Sequence, residues 1–279
     1  MRVVKASDVS WSDHDTGPRG GGLAFKTMLA GCEGTLDNYL WVIARSEGAR
    51  YSPRHRHNFD QVRYALQGDV SIGKRKTVHQ GEVGYFPEGT HYGPQDDAGQ
   101  ARTTLVLQFA GASGHGYMSQ RQTARALEEL KAFGDFEKGV YYRKQGPGKK
   151  NQDGYEALWE HVNGRTLVYP KRRYEEPIIS DPRNFGWRPT REAGVSHKSL
   201  GVFTERQTRL GFFRIEEGAT WTQEAETAAR LSFVVSGGGT CGDEACEDST
   251  AIEGASGDRV TFTAARPTEI FQVVIPSYA

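Results

Sequence analysis

From residue 23 to residue 109 the apolar positions come in short runs broken by turn residues. Asn38-Tyr39-Leu40-Trp41-Val42-Ile43-Ala44 is aromatic and β-branched, the composition that strands favour. Residues 62–70 alternate in polarity and turn at Gly68-Asp69, and residues 83–86 and 103–109 follow as further strands. Short strands at this spacing predict a sandwich or barrel. After residue 111 the period changes. Ala124, Leu127, Leu130 and Phe133 recur at helical spacing behind Ser119, a helix cap, and Gly134 ends the run. A second helix is predicted from Asp153, with Glu156 completing a capping box and Asn163-Gly164 as its stop.

The β pattern then returns. Leu210-Gly211-Phe212-Phe213-Arg214-Ile215-Glu216-Glu217-Gly218-Ala219 parallels Leu40-Trp41-Val42-Ile43-Ala44-Arg45-Ser46-Glu47-Gly48-Ala49. Each is followed by an aromatic-rich strand that ends in glycine, Gly68 in the first copy and Gly237 in the second. A repeat of this kind indicates duplicated architecture. The expected organisation is all-β: an N-terminal arm over residues 1–30, a barrel over 31–110, a connector with two short helices over 111–194, and a second barrel over 195–279. In the arm, His14 reads as a surface residue and Gly20-Gly21-Gly22 as a flexible turn. The basic, aromatic stretches 141–150 and 169–174 read as solvated linker.

Chemistry enters at His55 and His57. Residues i and i+2 of a strand share a face, so two imidazoles would project the same way and supply two-thirds of a facial metal site. A His-rich, Arg-flanked loop in solvent is the other reading of the same residues. Gly48 precedes the pair, Gly68 follows it, and Gly81-Glu82-Val83-Gly84-Tyr85-Phe86-Pro87-Glu88-Gly89-Thr90-His91 comes next. Together these segments resemble the two signature motifs of the cupin superfamily: a glycine, His-x-His, an acid or amide and a glycine, then a glycine, Pro-x-Gly and a third histidine. The resemblance implies two double-stranded β-helix (jelly-roll) barrels in one chain, a bicupin. It implies a metal held by His55, His57 and His91, with Gln61 where many cupins carry a glutamate ligand. His91 stands one residue before the usual place, which Tyr92 occupies, and a one-residue slip in a regular strand reverses the face of a side chain. In the second copy Glu224, Glu226 and Arg230 take the corresponding positions, so a structural barrel is expected there.

His-Arg-His followed by Val62-Arg63-Tyr64 is similar to the gentisate dioxygenase-type bicupins. That likeness implies a dioxygenase-like oxidoreductase acting on a small phenolic, enolic or carboxylated substrate. It also implies one divalent transition metal, Fe(II) first and Mn, Ni, Cu or Zn otherwise. Arg63, one strand-face period from Gln61, is suited to pair a substrate carboxylate, and Tyr92 is a candidate for the pocket wall and for catalysis. A non-oxidative cupin (isomerase, decarboxylase or lyase) and a non-catalytic small-ligand binder stay open on these residues.

Composition narrows the field. Lys+Arg and Asp+Glu are both 35 in 279 residues, so the basic excess of a nucleic-acid surface is missing. No apolar run approaches the roughly 20 residues that span a bilayer, and Met1-Arg2-Val3-Val4-Lys5 lacks the apolar core of a signal peptide. A cytoplasmic homodimer with a small-molecule substrate is expected, with neither nucleic acid nor membrane as partner. Three cysteines do not make a disulfide framework, and Cys241 and Cys246 read as a free, exposed pair in a hairpin.

Overall fold

Tyr39–Ser46 forms a strand with both faces covered, and within it Arg45 alone is exposed. That double burial explains why its sequence is a continuous apolar run rather than an alternation. In the computed structural model, which describes residues 1–13 and 22–278, this strand belongs to a unit spanning Trp11–Ile179. A second unit is built from Met1–Ser10 and Ser180–Ala279. The expectations for His14, Gly20 and Gly21 lie outside the described residues.

Strand order shows the duplication. The main sheet of the first unit runs Ile178–Ser180, Val83–Phe86, Asp60–Gln67, Arg102–Phe109, Tyr39–Ser46, Ala24–Ala30, Ser12–Asp13. The main path of the second runs Arg2–Lys5, Thr250–Gly254, Arg230–Cys241, Val260–Val274, Thr208–Ile215, Val195–Phe203, Arg188–Pro189. Position by position the two lists match, and the repeated sequence falls on Tyr39–Ser46 and Thr208–Ile215. Both copies turn at a glycine in the left-handed region, Gly48 (φ 93°) and Gly218 (φ 76°). At Gly48 a Cβ would also sit 2.4 Å from the Gly99 carbonyl carbon, so glycine is required there twice over.

Register explains why the copies differ inside. In the first unit Gln61, Gln108 and Leu40 form one row across three strands, and Arg63, Val106 and Val42 the next. The rows of the second unit that face its core are Ser232, Gln272 and Gly211, then Val234, Ile270 and Phe213. Val234 and Ile270 pack with Trp221 and Phe262 in that core, and Phe213 lies against Trp221 with ring centroids 4.2 Å apart, so apolar side chains fill the interior that the first unit leaves open. Glu224 and Glu226 are exposed and pair with Arg259 and Arg209, while buried Arg230 donates to the Glu224 and Asp258 carbonyls. The expected structural barrel therefore has a packing cause.

The boundaries expected from sequence need correction. The arm expected over residues 1–30 contains two sheet strands among its described residues: Arg2–Lys5 pairs with Thr250–Gly254, and Ala24–Ala30 pairs with Tyr39–Ser46. Both are short, charge-bearing strands, which is how sheet edges commonly read. The connector expected over 111–194 is divided, 111–179 belonging to the first unit and 180–194 to the second. Helix α1 (Gln120–Lys131) carries the Ser119–Gln122 capping box and buries Ala126, Leu127 and Leu130. Helix α2 (Gly154–Asn163) is capped by Asp153, which accepts from the Tyr155 and Glu156 N–H groups, and it ends at Gly164 (φ 62°). Leu158 and Trp159 of α2 pack with Leu40, Val42, Phe59 and Met118 in one core. The basic stretches are not simply solvated either: Tyr141 is buried and donates to the Leu130 carbonyl (3.0 Å), and Arg173 pairs with buried Glu88 (2.7 Å). Cys241 and Cys246 are free but buried in the second core rather than exposed, and burial pushes their thiols up to about 12 and about 11.

Beneath the first barrel's interior lies a buried acidic pair. Asp60 accepts from the Tyr85 hydroxyl (2.6 Å) and the Glu88 N–H (2.9 Å). Burial raises its carboxyl to about 7, against the pull of the Tyr85 hydrogen bond, and the Glu88 charge adds to the rise. An unfolded Asp60 ionises near 3.8. Between those values the folded chain holds a proton that the unfolded chain has lost, so this group favours folding more as pH falls from 8 towards 4. The bound on its contribution is about 4 kcal/mol. Denaturant midpoints measured from pH 8 to pH 5 should show that gain for the wild type relative to Asp60→Asn; parallel pH profiles would contradict it.

Candidate functional site

Three segments of the first barrel converge on one cavity. His55 and Tyr92 form an antiparallel bridge in which each N–H donates to the other's carbonyl at 3.0 Å. Cross-strand partners share a face, and the two rings lie with centroids 4.5 Å apart. His57 brings its ring to 4.9 Å from His55 and 5.7 Å from Tyr92. Strand Asp60–Gln67 adds Gln61 and Arg63 from one face. All five side chains are buried and line a cavity of about 520 Å³.

His91 does not line it. The imidazole is half-buried beside Arg54, Arg56 and Arg172, and burial, then those charges, hold its pKa below the usual histidine range. The left-handed turn at Gly89 (φ 75°) does not restore the face, so alternation gives the cavity to Tyr92. The set His55, His57 and His91 is thus not brought together, and Tyr92 stands beside the two histidines instead.

Neighbours fix each group. His55 Nδ1 lies 2.6 Å from the Pro53 carbonyl and must donate to it, which puts the ring's lone pair on Nε2. A histidine that donates its other nitrogen to a backbone carbonyl is the arrangement metal-binding imidazoles use. His57 stacks on Phe59 (4.3 Å, 9°) and meets the edge of Tyr155, whose hydroxyl donates to Asn58 Oδ1 at 2.8 Å. Arg63 donates through Nε to Gln61 Oε1 (2.6 Å) and through Nη2 to the Tyr92 hydroxyl (3.1 Å). Its guanidinium also lies over the rings of Phe86 (4.7 Å) and Tyr92 (5.2 Å). Among the described residues Arg63 Nη1 makes no hydrogen bond.

The interior is positive. Arg102 pairs with Asp97 at 2.9 Å, both buried, and Ser46 donates to the same carboxylate. Asp97 acts electrostatically on Arg50 and Arg63 as well, so one carboxylate serves three guanidiniums. Burial, then Arg63 and Arg102, push Arg50 down to about 10. No aspartate or glutamate is among the described residues that line the cavity.

Donor chemistry tests the fit of a metal. Two imidazoles with a phenol and an amide oxygen beside them make a nitrogen–oxygen set of the kind first-row divalent ions accept. Among the described residues no third histidine, cysteine or carboxylate joins them. Arg63 already donates to both oxygens, so the set fits a metal bound more weakly than by three histidines.

Of the residues the sequence singled out, His55, His57, Gln61, Arg63 and Tyr92 line the cavity; Arg50, Asp97 and Arg102 were not singled out. Arg102, Thr104, Val106 and Gln108 all face the cavity, while Leu105, Leu107 and Phe109 are buried on the other face. That period of two was legible in the sequence. Arg50 and Asp97 carry no local signal.

No family model matches the sequence, and no curated protein is detectably similar to it. Solved structures do match across its length. A candidate dioxygenase from Nostoc punctiforme aligns over 99% of this chain and 83% of its own, with TM-score 0.64 and 9% identity. A protein of Geobacillus kaustophilus aligns over 100% and 96% (TM-score 0.56, 11% identity). Oxalate decarboxylase of Bacillus subtilis, a protein with Mn(II) centres, aligns over 100% and 78% (TM-score 0.56, 13% identity). At these identities the likeness speaks for the fold. Among the described residues no helix is long and apolar enough to cross a membrane. Two antiparallel units of matching strand order, one open with a His-x-His pair and one with an apolar interior, together with these neighbours, give the chain a bicupin fold.

Proposed function

We propose that the first barrel binds a divalent metal and that the protein is a dioxygenase-like enzyme acting on a small carboxylated organic molecule. The observation that carries this reading is the convergence of His55, His57, Gln61, Arg63 and Tyr92 on one buried cavity. His55, His57 and Tyr92 would hold the metal, with Gln61 as a further oxygen donor. Bound there, a divalent ion supplies Lewis acidity and, as iron, reactivity towards O₂. Arg63 offers its Nη1 edge to a carboxylate while its other nitrogens stay on Gln61 and Tyr92. The aromatic shell around His57 keeps its ring in one orientation.

One observation favours a second reading, a lyase, decarboxylase or isomerase. Tyr92 puts a hydroxyl beside the two imidazoles, a group that can deliver or accept a proton at substrate carbon. Oxygen uptake by the iron-loaded protein, scanned over phenolic and enolisable carboxylates, separates the two. Uptake that is lost in His57→Ala supports the dioxygenase; turnover without uptake supports the second reading.

A further inference from the structure

The cavity is polar on one side and apolar on the other, and register shows the gradient. Going from strand Asp60–Gln67 to Tyr39–Ser46, the rows read Gln61, Gln108, Leu40 and then Arg63, Val106, Val42. In the next row Thr104 leads to Ala44 and on to Phe25 of the neighbouring strand. Tyr117 and Met118, which precede α1, and Ala124 of α1 also line the cavity, with Gln120, Arg121 and Thr123 of α1 beside them. The histidines, Gln61 and Arg63 thus face an apolar wall with a volume of about 520 Å³ between them, a size that takes a drug-sized molecule rather than a two-carbon acid.

We infer that the substrate is an amphiphilic monocarboxylate, its carboxylate held by Arg63 and its hydrocarbon body laid along Leu40, Val42, Ala44 and Phe25. This rests on reading the cavity as the substrate site. Of the other arginines that line the cavity, Arg102 and Arg50 share Asp97 and Arg121 pairs with Glu33, so a second carboxylate laid along Leu40, Val42, Ala44 and Phe25 would sit on apolar side chains, and an ion desolvated without a partner is strongly disfavoured. An uncharged body of the same length gains by burial.

Titration of the purified full-length chain with acetate, hexanoate, octanoate, decanoate and oxalate tests this, with decanamide as the neutral control. Affinity is expected to rise about fourfold per methylene added until the cavity is full. Decanamide should bind at least about tenfold more weakly than decanoate, the loss of one charge-assisted contact. Ala44→Leu should shorten the best-binding chain, and Arg63→Gln should remove the preference for decanoate over decanamide. Affinity independent of chain length, or oxalate binding more tightly than decanoate, would overturn the inference. Metal content measured on the same samples keeps the two readings apart. Chain-length dependence without metal would sink the metal site alone, whereas metal with an oxalate preference would sink this substrate class alone.

Discussion

Glu88→Ala is expected to destabilise the first unit by about 3 kcal/mol. Glu88 is 1% exposed and accepts from the Ser113 N–H (2.8 Å), the Ser113 hydroxyl (2.6 Å) and Arg173 (2.7 Å). It ties the segment after the last strand and the segment before Ile178–Ser180 to the Pro87-Glu88-Gly89 turn. Removing it leaves those donors without their acceptor, which costs far more than a surface pair is worth. Arg173 keeps 28% of its side chain exposed and can reach water, so the loss falls at the low end for a broken buried pair. Glu88→Gln, which retains an acceptor for Ser113, should lose less. Urea unfolding followed by the fluorescence of Trp41 and Trp159 measures both variants; a loss below about 1 kcal/mol for Glu88→Ala would show that the strap carries no load.

Arg63→Ala should lower kcat/KM for a carboxylate substrate by about a hundredfold, the effect of roughly 3 kcal/mol. The guanidinium is buried, its planar fork spans Gln61 and Tyr92, and two rings cover it. Lysine cannot reproduce that fork, so Arg63→Lys should recover little of the loss. Metal content should hold or rise in Arg63→Ala, because the substitution removes a positive charge and frees two oxygens. Steady-state kinetics beside elemental analysis checks both parts. An unchanged kcat/KM would take Arg63 out of substrate binding, and metal lost with Arg63 would mean that the side chain supports the site rather than the substrate.

Much of the architecture was legible because two of its signals are local. The repeat from Leu40 to Ala49 and from Leu210 to Ala219 marks the same strand and turn in each barrel. His55 and His57 both line the cavity, although only His55 is bridge-paired and no regular strand joins them, and the one-residue offset at His91 already pointed to Tyr92. What failed was long-range. Arg2–Lys5 is a strand because Thr250–Gly254 lies beside it, a pairing across almost the whole chain. The two helices and their apolar sides were legible, but nothing in Leu158 or Trp159 names Leu40 as a neighbour. Cys241 and Cys246 sit in a polar hairpin sequence, yet the fold turns both thiols into the core. The filled second barrel needed the register that puts Val234, Ile270 and Phe213 in one row.

Elemental analysis of the purified protein, compared with the His55→Ala, His57→Ala double variant, tests the central claim most directly. About one divalent metal per chain in the wild type, lost in a variant that keeps its far-ultraviolet circular dichroism, is the expected result. A wild type that stays free of metal after incubation with Fe(II), Mn(II) and Zn(II), or a double variant that retains the metal, would contradict it.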